Sequence, residues 1–147
     1  MNRENKENFN IKQVKVGRTR EGTIMEALAI LLLVVTWVIG LTKHQFVMGE
    51  DLLKKCIVFS IVVVVLLVVC YSPKYFNHSR QLRNMRQVLL TIRMSRVLAI
   101  EFALITLFMV ISHHLMSSQL EWSLMGIIII GILLTVLVFM ILIYKAK

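Results

Sequence analysis

The chain has 147 residues and a mass of 17.0 kDa, and 58% of it is hydrophobic with a mean hydropathy of +0.78. An ordinary soluble domain carries roughly 45–50% apolar residues, so this composition excludes a soluble globule. The 17 basic residues against 8 acidic ones give a net charge of +9, which in a polar chain suggests nucleic acid, but here the basic residues flank apolar stretches.

Residues 1–22 form a polar arm with Asn2, Asn5, Asn8, Asn10 and mixed charges, read as a disordered or surface-lying segment. The arm and the apolar run after it are both too long for a cleavable signal peptide, and no small-x-small cleavage site precedes Lys43. Residues 23–147 read as a four-helix transmembrane domain, with spans at about 23–42, 52–71, 97–112 and 122–144. About 20 residues at 1.5 Å each cross a hydrocarbon core of about 30 Å, and a segment in lipid must bond its own backbone, so each is expected to be helical. The second span, with its run from Ile57 to Val69, is rich enough in β-branched residues to suggest a strand. Its unbroken length and lack of alternation favour helix.

Ser72-Pro73 ends the second span, since proline stops the helix and turns the chain. A helical pattern resumes near Asn77. Leu82, Met85, Val88, Leu89 and Ile92 fall on one side, while Arg80, Arg83, Arg86 and Arg93 gather on the other. No Pro or Gly separates this stretch from the third span, so a single helix of about 54 Å could run from Asn77 to Ser112, with its first half projecting or lying along the cytoplasmic surface. That half is read as an amphipathic connector capping the inner face of the bundle. Arg80, Arg83, Arg86, Arg93 and Arg96 are its candidate contacts to anionic lipid or a partner, at about 1 kcal/mol per basic residue near the surface. Arg96 falls on the apolar side, where it snorkels or pairs with a carboxylate.

Orientation follows from the charges beside the spans, because short loops rich in Lys and Arg stay in the cytoplasm during insertion. Arg3, Lys6, Lys12, Lys15, Arg18 and Arg20 precede the first span, Lys74, Arg80, Arg83, Arg86, Arg93 and Arg96 lie between the second and third, and Lys145 and Lys147 follow the fourth. Only Lys43, Lys54 and Lys55 remain for the other side. Both termini are therefore expected inside, which an even number of spans allows, and the basic blocks read as topology signals rather than a nucleic-acid surface.

Glu26 and Glu101 are the only acids within the four spans, each about one turn in from a helix N-terminus, where the helix dipole favours negative charge. Charge in hydrocarbon costs at least a few kcal/mol, so each needs a reason. One reading is a pair of inward-facing carboxylates binding protons or cations, with Arg93 or Arg96 as counter-charge. The other is that both lie at the same shallow depth and reach the interface or a basic neighbour. Neither is expected midway through the membrane, where a transporter's coupling site belongs.

On the outer side His44, Met48, Glu50, Asp51, His113, His114, Met116 and Glu121 form an assortment without metal-site spacing, read as interfacial polar residues, so no metal or other cofactor is expected. Cys56 and Cys70 lie about 21 Å apart along one helix and cannot bridge. Gly126 and Gly131 hint at tight packing of the fourth span, and Trp37, Trp122, Tyr71 and Tyr144 mostly lie near span ends as interfacial anchors. No Ser/His/Asp set or phosphate-binding Gly loop points to an enzyme.

Two segments carry a resemblance: the run Glu26 to Trp37, and Asn77-His78-Ser79-Arg80-Gln81-Leu82-Arg83 continuing to Arg93-Met94-Ser95-Arg96. They resemble the first helix and the basic approach to the third helix of a family of small bacterial membrane proteins related to the N-terminal part of SdpI-type immunity and signalling proteins. That family's proline-flanked outer loop is missing here; His44-Gln45-Phe46 has no proline near it. The resemblance implies a shared four-helix fold without the loop-dependent function. The expectation is thus a four-helix protein of a bacterial inner membrane that acts by binding, as an accessory, sensor or immunity-type protein. Its surroundings are the lipid bilayer, with a membrane-protein partner or a second copy of itself. The competing expectation is a small, dimeric proton-linked transporter built on Glu26 and Glu101.

Overall fold

The computed structural model describes residues 19–43, 50–72, 85–115 and 118–146. Among them the chain is entirely helical apart from turns and helix ends: α1 spans Arg20–Thr42, α2 Glu50–Val69, α3 Met85–Leu115 and α4 Ser118–Lys145. All four are long and apolar enough to cross a membrane. The arm before Thr19 and the stretch 73–84, with Arg80 and Arg83, lie outside the described residues.

Helix α1 starts where the side chain of Thr19 accepts the backbone N–H of Gly22 at 3.1 Å, satisfying one of the donors a helix start leaves open. Glu21 in the first turn adds a favourable charge at the positive end of the dipole. The buried positions of α1 are Gly22, Ala29, Thr36 and Gly40, mostly seven residues apart and all small. On α2 the fully buried Cys56, Val63 and Cys70 repeat the same interval. A seven-residue interval keeps one seam of a helix facing a neighbour, and small side chains let backbones approach. The β-branched run of α2 is helical throughout.

Helix α3 is the hub. It packs along α1, α2 and α4, whereas α1 and α2 touch each other only lightly. Toward one end, Ala99 and Ala103 of α3 meet Ala29 of α1 and Val63 of α2. Toward the other, Ile105, Met109 and Val110 meet Leu52 and Cys56 of α2, with Met125, Ile128 and Ile132 of α4 against them.

The first half of α3 differs from the surface-lying connector that its sequence suggests. From Met85 onward it is one continuous helix with the rest, and Gln87, Val88, Thr91, Ile92, Ser95 and Arg96 are buried while Met85 and Leu89 are exposed. The inward face is thus largely polar. Its cause is the antiparallel arrangement, which sets this half of α3 beside the C-terminal ends of α2 and α4, where the last carbonyls lack helical partners. Ser95 Oγ donates to the carbonyl of Leu66 at 2.9 Å, the Cys70 thiol donates to the same oxygen at 3.1 Å, and Gln87 Nε2 donates to the carbonyl of Ile143 at 3.2 Å. Hydrogen bonds to these carbonyls join the packing of the buried Val88 and Ile92 in holding this segment in the bundle.

One smaller expectation also changes: a Cβ on Gly126 or Gly131 would have no neighbour within 4 Å, so neither glycine marks a close helix approach among the described residues. The indole N–H of Trp37 donates to Ser60 Oγ at 3.1 Å, joining α1 to α2.

Candidate functional site

The structure gives the two intrahelical glutamates unlike surroundings. Glu26, on the second turn of α1, faces Arg96 of α3. The Nε and Nη2 of Arg96 donate to Glu26 Oε1 at 2.9 and 2.8 Å, and the hydroxyl of Tyr71, just past α2, donates to Oε2. The Arg96 side chain is 6% exposed and that of Glu26 14%, so this is a buried ion pair with both carboxylate oxygens occupied. Three helices meet in it. Gly22, one turn before Glu26, leaves the space that the guanidinium fills, for a Cβ there would collide with Arg96 Nη1 and Cζ.

Beside this cluster a second pair links the same helices at the surface, where Arg93 Nη2 meets Glu21 Oε2 at 2.9 Å with both side chains mostly exposed. Arg93 and Arg96 therefore face α1 carboxylates, and of the basic candidates Arg86 alone among the described ones has an exposed side chain with no ion pair to the described residues. Of the alternatives open to Arg96, pairing with a carboxylate is the one the structure adopts.

Glu101 lies five residues after Arg96, about 7.5 Å further along α3. Its Oε1 accepts a hydrogen bond from Thr135 Oγ1 at 2.6 Å, and its Oε2 is buried with no hydrogen-bond partner among the described residues. Thr135 stands near the middle of the apolar stretch Ser123–Lys145. Along their helices the two glutamates are thus placed unequally, Glu26 on the second turn of α1 and Glu101 beside the middle of that stretch of α4. The inference from distance to a helix start fails because α3 begins well before its apolar part, so one turn into the hydrophobic run is four turns into the helix. The two carboxylates do not share a site. Glu26 takes Arg96 and Tyr71, and Glu101 takes Thr135.

Three residues of these sites escape a reading of the sequence by pattern. Tyr71 passes for an interfacial anchor and Gly22 for the end of a polar arm. Thr135, however, is the only polar side chain between Ser123 and Tyr144, and that isolation is a usable signal.

Among the described residues no group of three or more His, Cys, Asp or Glu side chains converges as a metal site; His44, Met48 and Met116 lie outside those residues. Cys56 and Cys70 are both free and buried inside the protein. No protein-family model, curated protein or solved structure matches the chain significantly, so the site is read from its own geometry.

Proposed function

We propose that the protein is a multi-pass protein of a bacterial inner membrane, with both termini in the cytoplasm, that acts by binding another membrane component as an accessory, sensor or immunity-type protein rather than by catalysis. The observation that carries this reading is the uneven burial of its helices. Half of the apolar stretch of α3 is buried, whereas none of the stretch Ser123–Lys145 of α4 is, and α4 packs chiefly on α3. Most of the circumference of α4, studded with Ile127, Ile130, Leu133, Leu134 and Leu137, faces outward. In a bilayer that surface meets lipid or the helix of another protein, by van der Waals packing rather than hydrophobic transfer.

The antiparallel packing supports a common side for the basic residues. The contacts Arg93–Glu21, Tyr71–Glu26 and Gln87–Ile143 gather the start of α1, the end of α2, the start of α3 and the end of α4 at one end of the bundle. Arg20, Arg86 and Lys145 belong to that end, as the rule of cytoplasmic positive charge requires. Single cysteines replacing Lys145 and Lys43 test it: a membrane-impermeant maleimide added to intact cells should label the Lys43→Cys protein only, and labelling of Lys145→Cys alone reverses the orientation.

Purification from the native membrane in mild detergent, followed by intact-complex mass spectrometry, tests the binding reading. A stoichiometric second protein is the expected result. A homodimer without one favours the second reading, a dimeric proton-linked transporter, which the buried unpartnered Oε2 of Glu101 supports. In that reading Glu101 carries the coupling and Glu26, neutralised by Arg96, does not.

A further inference from the structure

We propose that Glu101, together with Thr135, binds one monovalent cation, a proton or Na+, at its buried Oε2. It shares its residue with the transporter reading above and rests on the chain lying in a bilayer, but it does not require that anything be carried across. Within the stretches 27–42, 56–70, 97–112 and 123–143, Glu101 is the only Asp, Glu, Lys, Arg or His. A bare carboxylate there costs at least a few kcal/mol, and a single hydrogen bond from a neutral hydroxyl, such as that of Thr135 to Oε1, offsets only part of it.

The charged groups around it are committed elsewhere. Toward α1 the acid is Glu26, which is held by Arg96; the charged residues of α2, Glu50, Asp51, Lys54 and Lys55, all lie in its first two turns, and after them come only Cys56, Cys70 and Tyr71, the last bonded to Glu26; α4 brings no ionisable group between Ser123 and Tyr144. Among the described residues no Lys, Arg or His side chain pairs with Glu101, whose Oε2 has no partner, so its charge partner comes from outside. A proton on Oε2 turns that oxygen into a donor and leaves Oε1 accepting from Thr135. Na+ would use the same oxygen as an anionic ligand, in keeping with the preference of hard cations for oxygen.

The full-length protein in detergent or vesicles is treated with dicyclohexylcarbodiimide, an apolar reagent that adds to protonated carboxyls, in sodium-free buffer across a pH series, and labelled sites are located by peptide mass spectrometry. Label is expected on Glu101 and not on Glu26, declining as pH rises and lost in Glu101→Gln. Added NaCl that suppresses the label, by about tenfold at roughly ten times its Kd, with no suppression by choline chloride, identifies Na+ as an occupant; no suppression identifies the proton alone. Infrared spectra of the unmodified wild-type protein, which need no variant, should show a protonated-carboxyl C=O band in the same sodium-free buffer.

A folded protein with neither label on Glu101 nor that band at any pH overturns the proposal, as does equal labelling of Glu26 and Glu101. Proton or Na+ flux into vesicles is read separately. Labelling without flux leaves cation binding standing and removes transport; absence of both label and band removes cation binding whatever flux is seen.

Discussion

Glu26 and Glu101 are the same side chain on neighbouring helices, and their surroundings teach how differently a membrane-spanning bundle can treat an acid. At Glu26 the carboxylate is met by a guanidinium, a phenol and a glycine that makes room for them, so three helices share one charge-neutral knot. At Glu101 a single threonine hydroxyl serves one oxygen and nothing among the described residues serves the other. The first arrangement fixes the relative rotation of α1 and α3. The second leaves a charge that something other than the described side chains must balance.

Removing Arg96 is the largest way to break that contrast. Arg96→Ala strands Glu26 in a buried setting and should cost about 3–5 kcal/mol, read as a loss of thermal stability in detergent, whereas replacing both partners together with Leu should cost much less. Gly22→Ala comes next, because the methyl group displaces the guanidinium from its position over Glu26. A loss of about 1–3 kcal/mol is expected, while Gly131→Ala, with open space around it, should be neutral or stabilising by up to about 1 kcal/mol.

At the other carboxylate, Thr135→Val removes the one hydrogen bond that Glu101 receives among the described residues and should cost about 1 kcal/mol. The smallest effect belongs to the exposed pair. Arg93→Ala should change stability by no more than about 1 kcal/mol, since both it and Glu21 remain open to solvent; a loss as large as that of Arg96→Ala would place the anchoring charge at Arg93 instead.

Much of the helical framework can be read directly from the chain. Long apolar runs define the four helices, and even the β-branched run of α2 yields to its length. The polar seam is harder to see, because Gln87 and Ser95 look like the wet side of an amphipathic helix when periodicity is judged by hydrophobicity alone. Their partners are backbone carbonyls at the ends of α2 and α4, and a carbonyl leaves no mark in a side-chain pattern. Similarly, Gly126 and Gly131 draw attention by spacing, whereas the close approach is made by Gly22, Ala29, Thr36 and Gly40, whose seven-residue interval lies hidden among leucines and valines.

The candidate site is legible in its acids and less so in its partners. Two lone glutamates in apolar sequence mark themselves. Which of them meets Arg96 depends on how α1 packs on α3, a tertiary fact, and depth is misleading because α3 starts well before its apolar part.

The most direct measurement is the thermal unfolding of Glu26→Gln and Glu101→Gln side by side in one detergent. Glu26→Gln leaves Arg96 buried without its counter-charge and should lose about 3–5 kcal/mol, whereas the amide in Glu101→Gln still accepts from Thr135 and should leave stability within about 1 kcal/mol of wild type. Equal losses in the two variants would contradict the division of labour between a structural carboxylate and a cation-binding one.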